Sequence, residues 1–147
     1  MIYVLDANVL IALGDANHPH RTLALDFFAR CVAEGWATCP LTENAFIRIL
    51  GKSNYPSGPG TTTEARRLLK SFKAAPGHQF WPDSLSLCDA NLFPTLPPSP
   101  NLTNIYLLAL AVQRGGKLAT FDQGINASLV PGGIDALHVL QRESEGS

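Results

Sequence analysis

Three acidic residues of this chain each come just after a predicted strand. Asp6 directly follows the apolar run IYVL, and Asp122 directly follows KLATF. Glu43 stands in the first turn of a helix after the predicted strand from 36 to 39. Ligands of open α/β sheets bind outside the carboxyl ends of the strands, so we expect these carboxylates to converge on one pocket. Asn104, which opens an apolar helix, can join them there.

A cluster of carboxylates is unfavourable unless a cation neutralises it, and hard oxygen ligands suit Mg²⁺ or Mn²⁺. Such a metal polarises a phosphoryl group and activates water as a nucleophile, which indicates phosphodiester hydrolysis. Each acid also has a structural interpretation. Asp6 suits a turn or a helix N-cap, Glu43 suits the positive end of a helix dipole, and Asp122 suits a turn with Gln123 and Gly124. On the residues alone, a metal site and three structural roles both stay open.

Three further residues are candidates for binding substrate. Asn8, in a predicted turn beside Asp6, suits a phosphate or a metal-bound water. Arg48 lies more than a turn beyond Glu43, and its guanidinium suits a phosphate. Thr120 faces away from the core if Phe121 faces into it, and the uncertain strand register leaves its direction open. Turn chemistry for Asn8 and a solvated surface position for Arg48 are the alternatives.

Other polar and aromatic groups have weaker patterns. His18 and His20 are candidate RNA contacts or residues that close a turn. A basic helix face can follow a nucleic-acid backbone, dock a partner protein or simply be solvated. Its members are Arg66, Lys70 and Lys73. An aromatic pair, Phe80 and Trp81, either stacks a base or belongs to the core.

The elements that must position these residues follow from the hydrophobic pattern. Strands are predicted at 2–5, 36–39, 78–81, 117–121 and 136–140. Helices are predicted at 21–34, from the capping residue Thr42 to near Gly51, at 62–73 and at 103–114. Strands that alternate with helices predict a three-layer α/β/α domain with a mainly parallel central sheet. We expect one domain over 1–147, with a flexible tail after about residue 141.

Composition restricts the class of protein. The 147 residues are 46% hydrophobic and 16% charged, which is typical of a globular domain. The longest apolar run is too short to cross a bilayer and no signal peptide is seen, so we expect a cytoplasmic protein without membrane contact. The cysteines at 31, 39 and 88 lack metal or disulfide spacing and are expected to be buried free thiols. A net charge of −1 neither supports nor excludes a nucleic-acid partner.

Four stretches of the chain resemble the PIN-domain ribonucleases, and more narrowly the VapC-like toxins of bacterial type II toxin–antitoxin pairs. YVLDANVLIAL and PLTENAFIRIL are similar to the family's first two acidic sites. LTNIYLLALAVQRGGKLATFD is similar to its third site position, buried helix and final acid. GDANHPHRTLA is similar to a family turn that contains histidines. The resemblance extends from Ile2 to about Leu140.

This resemblance implies a PIN-like fold and a metal-dependent endoribonuclease toxin that hydrolyses RNA and is neutralised by a cognate antitoxin. It also implies a homodimer and an Mg²⁺ cofactor, with Mn²⁺ as the alternative. Asp6, Glu43 and Asp122 would be catalytic metal ligands, and position 104 would carry a fourth acid. This chain has Asn104 there, whose amide oxygen can bind a hard cation but brings no negative charge. The alternative is a PIN-fold protein that binds RNA or a partner, with weak or no nuclease activity.

Overall fold

A parallel sheet forms the centre of residues 1–141, the part of the chain that this computed structural model describes. Within that part, five strands lie in the order β3-β2-β1-β4-β5, and every neighbouring pair is parallel. The strands are β1 (Tyr3–Leu5), β2 (Trp36–Thr38), β3 (His78–Phe80), β4 (Lys117–Thr120) and β5 (Leu137–Val139). All five agree with the predicted strands to within a residue at each end. The tail predicted after about residue 141 lies outside the described residues.

Helices cover both faces of this sheet, which confirms the three-layer α/β/α architecture. They are α1 (Ala7–Gly14), α2 (Arg21–Cys31), α3 (Pro40–Leu50), α4 (Thr62–Lys73), α5 (Leu102–Gln113) and α6 (Gly133–Ala136). Val4 of β1 packs into one core with α5, whereas Leu5 packs into a second core with α1 to α4. Successive side chains of a strand point to opposite faces, so a strand with core on both sides must be apolar throughout. This explains why IYVL is a continuous apolar run.

The sheet order places the ends of β2, β1 and β4 next to one another. Leu5 pairs with Ala119, and the N–H of Asp6 donates to the Ala119 carbonyl at 2.9 Å. Asp6 therefore enters the first turn of α1 directly beside Thr120, the last residue of β4. The carboxyl-end edge of the sheet is the place where the predicted site must form.

Two helix starts differ from the prediction. Helix α1 was not predicted, because its residues 9–13 are apolar without a helical period and all of them are buried. Asn8 therefore lies in a helix rather than in a turn. Helix α3 begins at Pro40 with Cys39 as its N-cap, so the predicted cap at Thr42 is wrong by three residues. Thr42 instead accepts the N–H of Cys39 at 3.0 Å, while proline favours the first helical position.

Two composition-based expectations can be compared with residues 1–141. No helix in this range is long and apolar enough to cross a membrane. Cys31 and Cys39 are buried free thiols as expected, but Cys88 is exposed. The prediction for Cys88 fails because that residue lies in the irregular segment between β3 and α5, outside the packed layers.

Candidate active site

Asp6 is a buried carboxylate, only 7% exposed, at the junction between β1 and α1. Its Oδ1 accepts the N–H of Ala7 at 2.7 Å, which makes it the N-cap of α1. Its Oδ2 accepts the hydroxyl of Thr120 at 2.7 Å. The N-cap role weighed from the sequence is therefore present, and it fixes the carboxylate at the edge of the sheet where a site was expected.

Thr120 is the centre of a hydrogen-bond network that joins β4 to β1 and α1. Its fully buried hydroxyl donates to Asp6 and accepts from Asn8 Nδ2 at 3.2 Å and from the N–H of Asp122 at 3.1 Å. One donor and two acceptor positions are all that a hydroxyl has, so the group is satisfied. Asn8 Oδ1 in turn accepts the N–H of Phe121 at 3.4 Å. Both polar ends of Asn8 are thus engaged with the protein.

Asp122 and Asn104 meet across the gap between β4 and α5. Asn104 Nδ2 donates to Asp122 Oδ2 at 2.8 Å, and the N–H of Gly124 donates to Asp122 Oδ1 at 2.8 Å. The second bond is the turn that the sequence suggested for Asp122. Both side chains are half-buried. The structure therefore brings Asp6, Thr120, Asp122 and Asn104 into one connected cluster, the carboxylate cluster.

Burial shapes the electrostatics of this cluster. Removal from water raises the pKa of Asp6, while the bonds from Thr120 and Ala7 lower it and the nearby charge of Asp122 raises it further. Two acidic groups thus repel each other in a place where one of them is poorly solvated. A cation placed beside them would offset both the repulsion between the two carboxylates and the poor solvation of Asp6.

Glu43 lies at the end of β2 but is engaged with other partners. Its Oε2 accepts the Thr38 hydroxyl at 2.6 Å and pairs with Lys73 Nζ at 2.9 Å. His78 Nε2 lies 2.8 Å from the Thr38 oxygen. Because the single hydroxyl proton of Thr38 goes to Glu43, His78 must donate at Nε2. Burial, helped by Lys73 and opposed by Glu43, lowers the pKa of His78, which favours that neutral ring.

Convergence of Glu43 with the other acids is not seen in this conformation. Within residues 1–141, no three His, Cys, Asp or Glu side chains lie close enough together to hold a metal ion. Glu43 Oε2 pairs instead with Lys73, the last residue of α4. Thr38 and His78 were missed from the sequence. The available signal for Thr38 was its position, since Thr38 and Thr120 each end a strand beside β1 and each donates to an acid.

The remaining sequence candidates have separate environments. Arg48 is exposed on α3 and donates to Asn44 Oδ1 at 3.4 Å. Lys73, which was predicted on the basic helix face, pairs with Glu43 instead. Its ammonium group lies 5.4 Å from the centre of the Phe80 ring. Trp81 is buried core as expected for an aromatic pair, but Phe80 is 49% exposed because it ends the edge strand β3.

Comparisons of the sequence with known proteins agree on one protein family. The family model "PIN domain" matches residues 3–127. Ribonuclease VapC44 of Mycobacterium tuberculosis is 37% identical over 131 residues, which cover 88% of this chain and 92% of the relative. Ribonuclease VapC39 of the same organism is 35% identical and covers 93% of this chain and 100% of the relative. The corresponding figures for ribonuclease VapC38 are 39%, 83% and 86%.

A solved structure has the same fold. The crystal structure of VapBC2 from Rickettsia felis, bound to a DNA fragment from their promoter, superposes with a TM-score of 0.66. The match covers 96% of this chain and 100% of that chain at 13% identity. At that identity the similarity concerns the fold alone.

Proposed function

This chain belongs to the PIN-domain family, and we propose that it is a metal-dependent endoribonuclease toxin that hydrolyses RNA phosphodiester bonds and is neutralised by a cognate antitoxin. The relatives named ribonuclease VapC match at 35–39% identity over most of their own lengths. The observation that carries the proposal is the carboxylate cluster, in which Asp6 and Asp122 come together from two adjacent strand ends. Acidic oxygens held at that edge are suited to phosphodiester hydrolysis with a divalent cation.

The carboxylate cluster fits a divalent cation in its donor chemistry. Asp6 and Asp122 offer carboxylate oxygens, and Asn104 offers an amide oxygen because its nitrogen faces Asp122. These are the hard ligands that Mg²⁺ prefers, with Mn²⁺ as the alternative. Glu43 would join them only after leaving the bonds of its Oε2 with Thr38 and Lys73. When bound, the cation would supply Lewis acidity toward the phosphoryl oxygens.

The chain's own residues prepare this site before any ligand arrives. Thr120 and the N–H of Ala7 hold one oxygen each of Asp6, so the carboxylate cannot rotate freely. Asn8 ties Thr120 to the backbone of Phe121, and we propose that it positions the cluster rather than binding the phosphate. Direct contact of Thr120 with substrate is likewise not supported, because its hydroxyl is buried and fully engaged. Phosphate binding by the exposed Arg48 stays a prediction.

The partners are proposals that rest on the family. A cognate antitoxin and an RNA substrate follow from membership among the VapC ribonucleases. A homodimer, a cytoplasmic location and a single domain over 1–147 stay predictions from the sequence. Sedimentation of the purified chain with and without its antitoxin would measure the homodimer and the antitoxin complex directly.

The test is metal-dependent cleavage of bacterial RNA by matched variants. We expect the chain to cleave with Mg²⁺ or Mn²⁺, to stop with chelator, and to lose activity in Asp6→Asn, which keeps the shape of the buried group. Asp26→Asn, at an exposed acid of α2, is the control and should remain active. Cleavage that persists in chelator or in Asp6→Asn would overturn the proposal.

Asn104 favours a second candidate function, a PIN-fold protein that binds RNA or a partner with weak or no nuclease activity. The uncharged amide donates a hydrogen bond to Asp122 where a fourth acid would add negative charge. An Asn104→Asp variant separates the candidates. Cleavage by this variant alone would show that the native chain has a PIN fold whose chemistry is disabled at position 104.

A further inference from the structure

Three aromatic side chains, His18, His20 and Phe121, form one group of rings, the ring cluster. The ring of His18 is nearly parallel to that of Phe121, with centroids 6.4 Å apart. The His20 ring lies 5.0 Å from Phe121 and 5.7 Å from His18. His20 is exposed, and the other two are partly exposed. Two imidazoles and a phenyl group therefore present aromatic surface to solvent.

The ring cluster adjoins the carboxylate cluster. Phe121 stands between Thr120 and Asp122 in sequence, so its Cα is about 3.8 Å from that of Asp122. Its N–H is fixed by Asn8 Oδ1 at 3.4 Å. An open cleft of about 370 Å³ is lined by His20, Phe121 and Gln123 among others. The rings therefore lie beside the place where a cation at the carboxylate cluster would bind a phosphate, within one nucleotide of it.

The turn that carries the two histidines is built rigidly. Asp15 Oδ2 accepts the hydroxyl of Tyr55 at 2.7 Å, and its Oδ1 accepts the N–H of Asn17 at 2.9 Å. The N–H of His20 donates to His18 Nδ1 at 3.0 Å. These bonds hold the turn that carries the rings, and a ligand that binds to a turn already held loses less affinity to ordering.

The two imidazoles also have chemistry suited to an uncharged planar ligand. His18 Nδ1 accepts a backbone N–H, and burial lowers the pKa of this ring, so its neutral form is favoured at neutral pH. Asp15 opposes that shift and His20 adds to it. A neutral ring beside Phe121 offers a face for stacking, while the nearby carboxylates disfavour an anionic group at the same place.

We propose that the ring cluster is a binding site for one unpaired nucleobase of the RNA, on a nucleotide next to the phosphate that a cation at the carboxylate cluster would bind. The inference rests on the proposed function. Unstacked bases of single-stranded or loop RNA stack on histidine and phenylalanine rings, whereas a base within a duplex cannot reach them. Gln123 supplies an amide that can hydrogen-bond a base edge. Stacking on these rings selects single-stranded or loop RNA as the substrate.

The first test measures binding separately from cleavage. Fluorescence anisotropy in chelator compares a labelled single-stranded RNA with the duplex of the same sequence. We expect His20→Ala to weaken single-strand binding roughly tenfold, the loss typical of one base stack. His20→Phe should keep most of the affinity, and Asn17→Ala, in the same exposed turn, should match the native chain. Duplex binding should be weak and equal for all four proteins.

The second test locates the base with a series of oligonucleotides that each lack one base. One abasic position should weaken binding by the native chain as much as His20→Ala does, with no further loss in the variant. Equal single-strand affinity of native protein and His20→Ala would overturn the inference, as would equal losses for duplex and single strand. Loss of antitoxin binding alone in His20→Ala would also overturn it and assign the cluster to protein docking. Failure of the native chain to cleave RNA would count against the proposed function instead.

Discussion

Replacement of Asn104 by aspartate should make part of this protein's stability depend on a divalent cation. Asn104 Nδ2 is 2.8 Å from Asp122 Oδ2, so the change turns a hydrogen bond into two facing carboxylate oxygens. The lost bond to a charged group is worth about 1.5–3 kcal/mol. Two charges at that separation repel by about 1.5 kcal/mol at the dielectric of water and by about 6 kcal/mol at an effective dielectric of 20.

The expected loss is smaller than the sum of these terms because both side chains are half-buried and can rotate apart. We expect Asn104→Asp to lower the free energy of unfolding by about 2–4 kcal/mol in chelator. For a chain of this length that corresponds to a fall in Tm of about 5–15 °C. Mg²⁺ should restore most of the loss, because the cation binds the folded site and not the unfolded chain.

Thermal and urea unfolding of matched proteins, in chelator and in Mg²⁺, provide the assay. Asn101→Asp is the control, since it adds the same charge just before α5 at a residue whose side chain makes no cap bond. It should unfold like the native chain in both solutions. Equal stability of Asn104→Asp and the native chain in chelator would refute the placement of Asn104 against Asp122. A loss that Mg²⁺ does not restore would refute the cluster as a cation site.

Three further outcomes are expected. Thr120→Val removes the main hydrogen bond of Asp6, so the free energy of unfolding in chelator at neutral pH should fall by about 1.5–3 kcal/mol and the pKa of Asp6 should rise further. Because a raised carboxyl pKa disfavours folding only at pH values where the carboxyl ionises, this loss of stability should shrink as the pH falls. A loss that does not depend on pH would contradict this account. Tyr55→Phe should cost about 0.5–1 kcal/mol at neutral pH, as measured by urea unfolding. The hydrogen bond between Tyr55 and Asp15 lowers the pKa of Asp15 and, together with burial, raises the pKa of Tyr55 to about 12. Its contribution to stability should therefore disappear when acid protonates Asp15, and again as the pH rises through about 12. A loss of stability in Tyr55→Phe that stays the same at both extremes of pH would contradict this expectation. Lys73→Met breaks a partly exposed ion pair and should lower the free energy of unfolding by less than about 1 kcal/mol, a loss that falls toward zero in high salt. A larger loss that persists in high salt would show that the pair is not screened as its exposure implies.

The local sequence pattern was enough to predict the strands of the sheet. Four of the five strands are short, mainly apolar segments, whereas the edge strand β3 (His78–Phe80) is partly polar and exposed. A strand buried on both faces has to be apolar at every position. The acid after β1 and the acid after β4 follow from the same local information, since each is the residue that the chain places where a strand stops. Alternation of strands with helices then implies parallel pairing, and the observed topology is parallel throughout residues 1–141.

Helix α1 could not be predicted from this local information. Its five apolar residues in succession are compatible with a buried strand or a buried helix, and the sequence contains no period that decides between them. The N-cap bond of Asp6 and the packing of both helix faces decide in favour of the helix. The same packing places Asn8 in α1, within the network around Thr120, rather than in the predicted turn.

The sequence by itself determined where the acids fall along the chain, because strand ends are local features. Only the tertiary structure decided what each acid touches. Thr120 and Asp6 are separated by 114 positions, Asn104 and Asp122 by 18, and Lys73 meets Glu43 from a different helix. Such contacts depend on strand order and helix packing, which bring distant segments together through burial of apolar surface. The ion pair of Glu43 and the ring cluster beside Asp122 follow from that packing, and no spacing in the sequence indicates either.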